Sequence, residues 1–357
     1  MANLGNQVNV GYCYGTGELL VKRGNLNVGT FTMSVGGCGS DTVSPYAYNV
    51  TGVVEVCKGA TLTYNGNAGR NLSTQESNYG SKPGNPSWNR APGLMVGHGI
   101  ANQNAGSYFR GEVRLAGKLV NYYGSFFVGS GSCGDGEVIQ TDGTFESQNV
   151  GGDTATTNEV AIGLFGGTGV YRMSGGEFKT RKNVYVGGAT CDDLHREITN
   201  VVMYLHQFHN AKGRVSVSGG TFQTTQNIIL GADGTGVLEL SSTGTVKAAA
   251  IVVSNTVGQA ASYVKFMSDA EGRFGTIDPA TKLAFAEGSK IVIDAATFPE
   301  GTTKATLFSL NDDIGGLDYI KQHVELVNAP ENAVPVWSED GRRLRFRVAR
   351  GMMFIVR

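Results

Sequence analysis

One short pattern recurs eight times along this chain, and a chain built that way has few folds open to it. The pattern is apolar–x–apolar–Gly, a turn, a second Gly with two alternating apolar residues behind it, another turn, and one further apolar residue. Aligned on the Gly that closes the first segment, the copies stand at Gly11, Gly36, Gly97, Gly129, Gly163, Gly187 and Gly231, with Ser254 in the eighth place. One residue earlier sit Val10, Val35, Val96, Val128, Ile162, Val186, Leu230 and Val253. Three residues earlier sit Val8, Met33, Leu94, Phe126, Val160, Val184, Ile228 and Ile251. Every one of these positions is apolar in a chain that is 40% hydrophobic.

The second segment follows Gly17, Gly52, Gly111, Gly136, Gly169, Gly213, Gly236 and Ser262. Its inward candidates are Leu19/Val21, Val54/Val56, Val113/Leu115, Val138/Gln140, Tyr171/Met173, Val215/Val217, Leu238/Leu240 and Val264/Phe266, with Gln140 the one polar member. The third segment supplies Leu26, Leu62, Leu119, Phe145, Phe178, Phe222, Val246 and Phe274.

Strict alternation over four to six residues marks half-buried strands rather than helices. Three such strands fill the shortest period, 23 to 25 residues. A strand this short cannot bury its apolar side alone. Stacking copies about 4.8 Å apart turns like residues into ladders. The recurrent Gly suits corners that need positive φ or close approach of the next coil. The pattern predicts an all-β, single-stranded parallel β-solenoid of about three strands per coil, its eight coils spanning about 34 Å.

Three insertions leave the corner between first and second strands, at 37–51, 98–110 and 188–212, and a fourth, 64–92, leaves the corner after the third strand together with 146–158. Outgrowths on repeat proteins commonly carry recognition. The period fades after Asp278, so 1–278 reads as the coils and 279–357 as C-terminal strands and a cap. Within that region Leu283 to Phe298 alternates like two more strands, and Leu317 to Val324 suits a short helix. Only seven residues precede the first coil, which leaves that edge bare.

Composition closes several routes. Gly supplies 53 of 357 residues, and charged residues are 17%. A net charge of −1 offers no basic face for nucleic acid. No apolar run approaches the roughly 20 residues of a membrane span. MANLGNQVNV lacks the basic start and apolar core of a signal peptide, so the expectation is either a cytoplasmic chain or a form whose targeting segment is gone.

The Gly-Gly-Thr-Phe-ended unit resembles the Gly-rich β-strand repeats of bacterial autotransporter passenger regions, and ATLFSL (Ala305 to Leu310), IGG (Ile314 to Gly316) and LRFRV resemble the tail of such regions. The resemblance spans about residues 8–357. It implies a right-handed β-helix displayed outside a bacterial cell as adhesin, stalk or scaffold.

Candidate chemistry is sparse. Gly97-His98-Gly99 matches a piece of polygalacturonase-like glycosidases, but their acidic companions, needed because glycoside hydrolysis uses two carboxyls, are absent. An acidic pair converging beside His98 or Glu112 would support the alternative of a carbohydrate-active lyase or glycosidase. Cys191, Asp192, Asp193, His195, His206 and His209 crowd one insertion. His206 and His209 would share a helix face as metal ligands often do, while Leu194, Ile198, Val201, Val202, Leu205 and Phe208 fit a helical stripe laid over the solenoid, although NVVMYL (Asn200 to Leu205) would equally make a strand. The expectation is that insertion without metal, and no cofactor. Asp135, Glu137, Asp142 and Glu146 share a coil without a calcium repeat. Cys13 and Cys38 occupy equivalent places on consecutive coils, within disulfide reach. The expected function is a non-enzymatic extracellular scaffold or adhesin, contacting a glycan or protein through Tyr46, Tyr48, Tyr79, Trp88, Tyr108 and Tyr204, or copies of itself head to tail as a filament.

Overall fold

The computed structural model of the chain describes residues 2–4, 7–11, 15–28, 32–37, 49–64, 93–99, 108–122, 125–147, 160–189, 210–299 and 304–348. Three long parallel sheets dominate it, and from Ala2–Leu4 to Lys290–Asp294 successive strands pass from one sheet to the next in rotation. Sheet 1 stacks nine strands from Gln7–Val10 to Lys282–Phe285; sheet 2 stacks ten, from Thr16–Val21 to Val324–Val327; sheet 3 stacks nine, from Ala2–Leu4 to Thr276–Ile277. Each coil contributes one strand to each sheet. This is the parallel β-solenoid that the repeat predicts.

The register is the sequence alignment read in space. On sheet 1, Met33 lies beside Leu94, Leu94 beside Phe126 and Phe126 beside Val160, while Val35, Val96, Val128 and Ile162 form the companion rungs. On sheet 2, Val54, Val113, Val138, Tyr171, Val215 and Leu238 stack in turn. On sheet 3, Phe145, Phe178 and Phe222 stack with ring centroids 5.1 and 4.1 Å apart and planes 11° and 5° from parallel. These side chains are buried to within 1%, each contributing about 1.5–3 kcal/mol of apolar burial.

One departure concerns the last coils. The third-segment ladder continues from Val246 to Ile277, not to Phe274. Phe274 is buried apart from the ladder, its ring 5.9 Å from both Phe298 and Phe346. The strand pairs Thr245↔Thr276 and Val246↔Ile277 pull the register past Phe274, because the loop before it holds Asp269 to Arg273 in a hydrogen-bonded turn. Beyond Asp278 the alternation from Leu283 to Phe298 forms the two expected strands, and the parallel stacking goes on. Leu283 and Phe285 lie beside Ile251 and Val253, Ile291 and Ile293 beside Val264 and Phe266, and Val324 and Leu326 beside Ile291 and Ile293. Helix α1 (Leu317–Lys321) precedes that last strand. An antiparallel sheet of Lys304–Ser309, Arg343–Val348 and Ala333–Trp337 adds Leu307, Phe308, Leu344 and Phe346 to the solenoid core. At the other end, Ala2–Leu4 pairs with Gly24–Val28, while the first-coil residues Val8, Leu19 and Leu26 are only partly buried.

The corner between sheets 1 and 2 explains the two Gly per coil. Gly129 has φ of 67°, and a Cβ placed there would lie 1.7 Å from the Thr168 carbonyl oxygen of the next coil. A Cβ on Gly169 would lie 2.1 Å from the Val128 carbonyl oxygen and 2.2 Å from the Gly163 nitrogen. Backbone therefore meets backbone here, with no room for a side chain on either side. Where the repeat swaps both Gly for Ser, Ser262 fills the corner and its hydroxyl accepts the Gly236 N–H at 3.0 Å.

The polar exception in the core is also accounted for. Gln140 is fully buried; its Oε1 accepts the Tyr171 hydroxyl at 2.6 Å, and its Nε2 donates to the Glu177 carbonyl at 3.1 Å and the Gly143 carbonyl at 3.3 Å. The amide is satisfied only because a tyrosine stands one coil on.

Two predictions follow from these contacts. Gly129→Ala combines left-handed strain with backbone overlap and should cost more than about 4 kcal/mol. Gly24→Ala, at φ of 75° but with open space around the added Cβ, should cost about 1–2 kcal/mol; equal shifts in urea midpoint would refute the corner argument. Tyr171→Phe orphans a buried amide oxygen and should cost about 1–3 kcal/mol, much of it recovered by adding Gln140→Leu.

Candidate functional site

Parallel stacking decides which residues share a surface. The chain leaves sheet 1 after Gly37, Gly99 and Ala189 and enters sheet 2 near Asn49, Tyr108 and Asn210. Three of the excursions read from the sequence thus depart from one flank of the solenoid. Their interiors, with Tyr46, Tyr48, Tyr204, His195, His206 and His209, lie outside the described residues, as do Tyr79, Trp88, Cys13 and Cys38.

Tyr108 is the contact candidate that the structure places. It opens the strand Tyr108–Leu115 at the foot of the flank and is 40% exposed. Its hydroxyl donates to Asp135 Oδ2 at 3.3 Å. Partial burial, and then the Asp135 charge, push the phenol above its ordinary pKa, with Arg110 pulling the other way. Arg110 lies directly across from Asp135 in the ladder. Along the same row of sheet 2 run Thr51, Arg110, Asp135, Thr168, Lys212 and Thr235, one per coil. An exposed ring beside a carboxylate and a guanidinium offers an apolar face and directional hydrogen bonds together, the combination that suits a sugar or a peptide.

His98 has a different setting. It ends a sheet 1 strand, is 5% exposed, and its Nδ1 lies 2.9 Å from Ser130 Oγ on the adjacent rung. Burial lowers its pKa from 6.5 to about 4, so the ring is neutral at pH 7. Glu112 is on sheet 2 and meets Arg114 Nε at 2.5 Å. The other acids of interest are likewise spread among cations: Glu137 meets Arg172 at 2.6 Å, Asp142 meets Lys58 at 2.8 Å, and Glu146 meets Lys118 at 3.5 Å. Among the described residues no three His, Cys, Asp or Glu side chains gather as a metal would require.

Alternation accounts for the inward positions of the strands only. From Met95 onward the outward positions of sheet 1 are apolar as well: Met95, Phe127, Ala161, Tyr185, Ile229 and Val252. The signal was present as unbroken apolar runs such as LMV, FFV, VAI and VYV, which mark strands buried on both faces.

Fold and flank together define a three-sheet parallel β-solenoid that carries three of its outgrowths along one side. No protein-family model, curated protein or solved structure matches the chain.

The depressed pKa of His98 has a direct consequence for acid stability. The unfolded chain takes up this proton near pH 6.5 and the folded chain only near pH 4, so the stability present above pH 6.5 falls as pH drops toward 4. The loss over that window is about 3 kcal/mol. His98→Gln should remove this part of the acid limb, seen by comparing urea midpoints at pH 7 and pH 4.5.

Proposed function

We propose that this chain is a non-enzymatic scaffold displayed at a bacterial cell surface or beyond it, presenting a binding flank to a glycan or protein ligand. The observation that carries this reading is the departure of three excursions from one flank of a laddered solenoid, with the exposed Tyr108 ring at its foot. A surface loop needs a rigid base to bind with little loss of entropy, and continuous core ladders supply one. The extracellular setting rests on the repeat style shared with autotransporter passenger regions. Residues 279–357 are read as the cap of the rod, on the support of Phe308, Leu344 and Phe346, which pack into its core.

End-to-end assembly of copies is a second form of the same reading. Its support is the half-buried Val8 and Leu19, whose strands are the first of sheets 1 and 2 among the described residues, where an added strand row would complete the burial.

The test is binding of the purified chain to a glycan array and to host-surface proteins. Tyr108→Ala is expected to weaken the selected ligand about tenfold, or ~1.4 kcal/mol, with the urea midpoint unchanged. Unaltered binding in Tyr108→Ala and Arg110→Ala would remove this foot of the flank from the ligand site. Release of reducing ends from a soluble polysaccharide would overturn the scaffold reading, and electron microscopy separates short rods from fibres.

A further inference from the structure

The antiparallel sheet of Lys304–Ser309, Arg343–Val348 and Ala333–Trp337 has two unlike sides. Inward it presents Leu307, Phe308, Leu344 and Phe346 to the core. Outward, Arg343, Arg345 and Arg347 stand exposed at every second residue of one strand, about 7 Å apart along it. Lys304, also exposed, lies directly across from Arg347, the two Cα atoms about 5 Å apart. The other outward positions of the three strands are Thr306, Ser309, Val334 and Val336. The face therefore holds four cations and no carboxylate, a concentration that the chain's net charge of −1 conceals. Exposed cations of sheet 2 are met by acids: Arg114 by Glu112, Arg172 by Glu137 and Lys290 by Glu325. Arg343 instead donates its Nε to Ser309 Oγ at 3.1 Å. No carboxylate among the described residues forms an ion pair with Lys304, Arg343, Arg345 or Arg347. The acids of the adjoining turns are engaged elsewhere: Asp313 holds Arg342 at 2.9 Å, and Asp340 accepts the Ser338 hydroxyl and the Arg342 N–H. Like charges directly opposite each other weaken a strand pair, so Lys304 beside Arg347 is a cost that a bound anion would offset.

We propose that this face binds a linear anionic polysaccharide, its carboxylates or sulfates seated along the Arg row. Charge complementarity selects a polyanion, and guanidinium groups hold such oxyanions through paired N–H donors. A row along one strand suits a ligand that is itself a line of charges. The rest of the face decides which polyanion. Single-stranded nucleic acid is held largely by stacking its bases on aromatic rings, and none of these outward positions is aromatic; Trp337 lies on the inward side, 5.8 Å from the Phe308 ring. A membrane surface would call for large apolar side chains inserting beside the cations, where this face offers Val334 and the half-buried Val336. An acidic peptide gains most by adding a strand to a free sheet edge. Ala333–Trp337 is such an edge, and Pro335 in its middle deprives it of a donor. An acidic glycan needs neither stacking nor backbone pairing. The inference stands apart from the flank at Tyr108, which lies on sheet 2.

The test measures binding of the full chain to immobilised dextran sulfate and polygalacturonate, with neutral dextran as control. At least one of the two polyanions is expected to bind and dextran not, the preference telling sulfate from carboxylate. Affinity should fall at least about tenfold between 50 and 200 mM salt. Arg345→Gln with Arg347→Gln should weaken binding about tenfold with the urea midpoint unchanged, while Arg345→Lys with Arg347→Lys, which keeps the charge, should lose less. Arg114→Gln with Arg172→Gln removes the same charge from the paired cations of sheet 2 and should leave binding as it was. Equal losses in the two Gln variants would overturn the proposal, as would failure of both polyanions to bind. Tighter binding to oligothymidylate, polyglutamate or phosphatidylserine vesicles than to either glycan would also overturn it and assign the face to that class. Tyr108→Ala is expected to leave binding to these polymers unchanged, so this inference and the flank reading fail separately.

Discussion

Contact between bare backbones at the corner of sheets 1 and 2 sets the geometry on which the other contacts depend. Gly129 and Gly169, and their equivalents in the neighbouring coils, let one strand turn into the next with carbonyl oxygens about 2 Å from where a Cβ would stand. A methyl group at either position would push the two sheets apart. The inward rungs of both sheets would then no longer meet. The Gly ladders thus control the width of the core, and the apolar ladders fill what that width allows.

The same constraint explains why insertions concentrate where they do. The corner is fixed by its two Gly-bearing strand ends, so chain added between them leaves the rungs in register: Gly36 and Gly52 of one coil stack on their equivalents although the excursion between them is long. Outgrowth and scaffold are therefore separable. The exposed Tyr108 and its neighbours Arg110 and Asp135 belong to the scaffold side of that division, Arg110 and Asp135 held by strand pairing on both sides and Tyr108 by its pairing with Asn49. That is why they are candidates for a fixed part of a recognition surface.

Much of the architecture was legible because the solenoid converts sequence spacing directly into spatial stacking. Val35, Val96 and Val128 hold equivalent places in the repeat and lie beside one another in sheet 1. Phe274 misled because an apolar residue near the right spacing is indistinguishable, in sequence, from the Ile277 that strand pairing selects. The outer face of sheet 1 is hard to read from sequence because Phe126-Phe127 or Val184-Tyr185 has the pattern of one inward residue with an apolar neighbour. The setting of His98 was beyond sequence reading altogether: its burial depends on Ser130 and the adjoining rung, residues 32 positions away. The flank itself could be read from insertion lengths, whereas the chemistry at its foot required knowing that Arg110 faces Asp135.

The hydrogen bond between Gln140 and Tyr171 bears on a hazard peculiar to uniform ladders. When valine follows valine, sliding one stretch of coils by a full turn replaces each rung with a near-identical one, and packing alone discriminates weakly between the correct and the slipped stack. A buried amide accepts only the alignment that brings the phenol to it, so a slipped chain would seal Gln140 against hydrocarbon. One polar pair in the middle of the rod can thus act as an index mark, telling each coil which neighbour is its own.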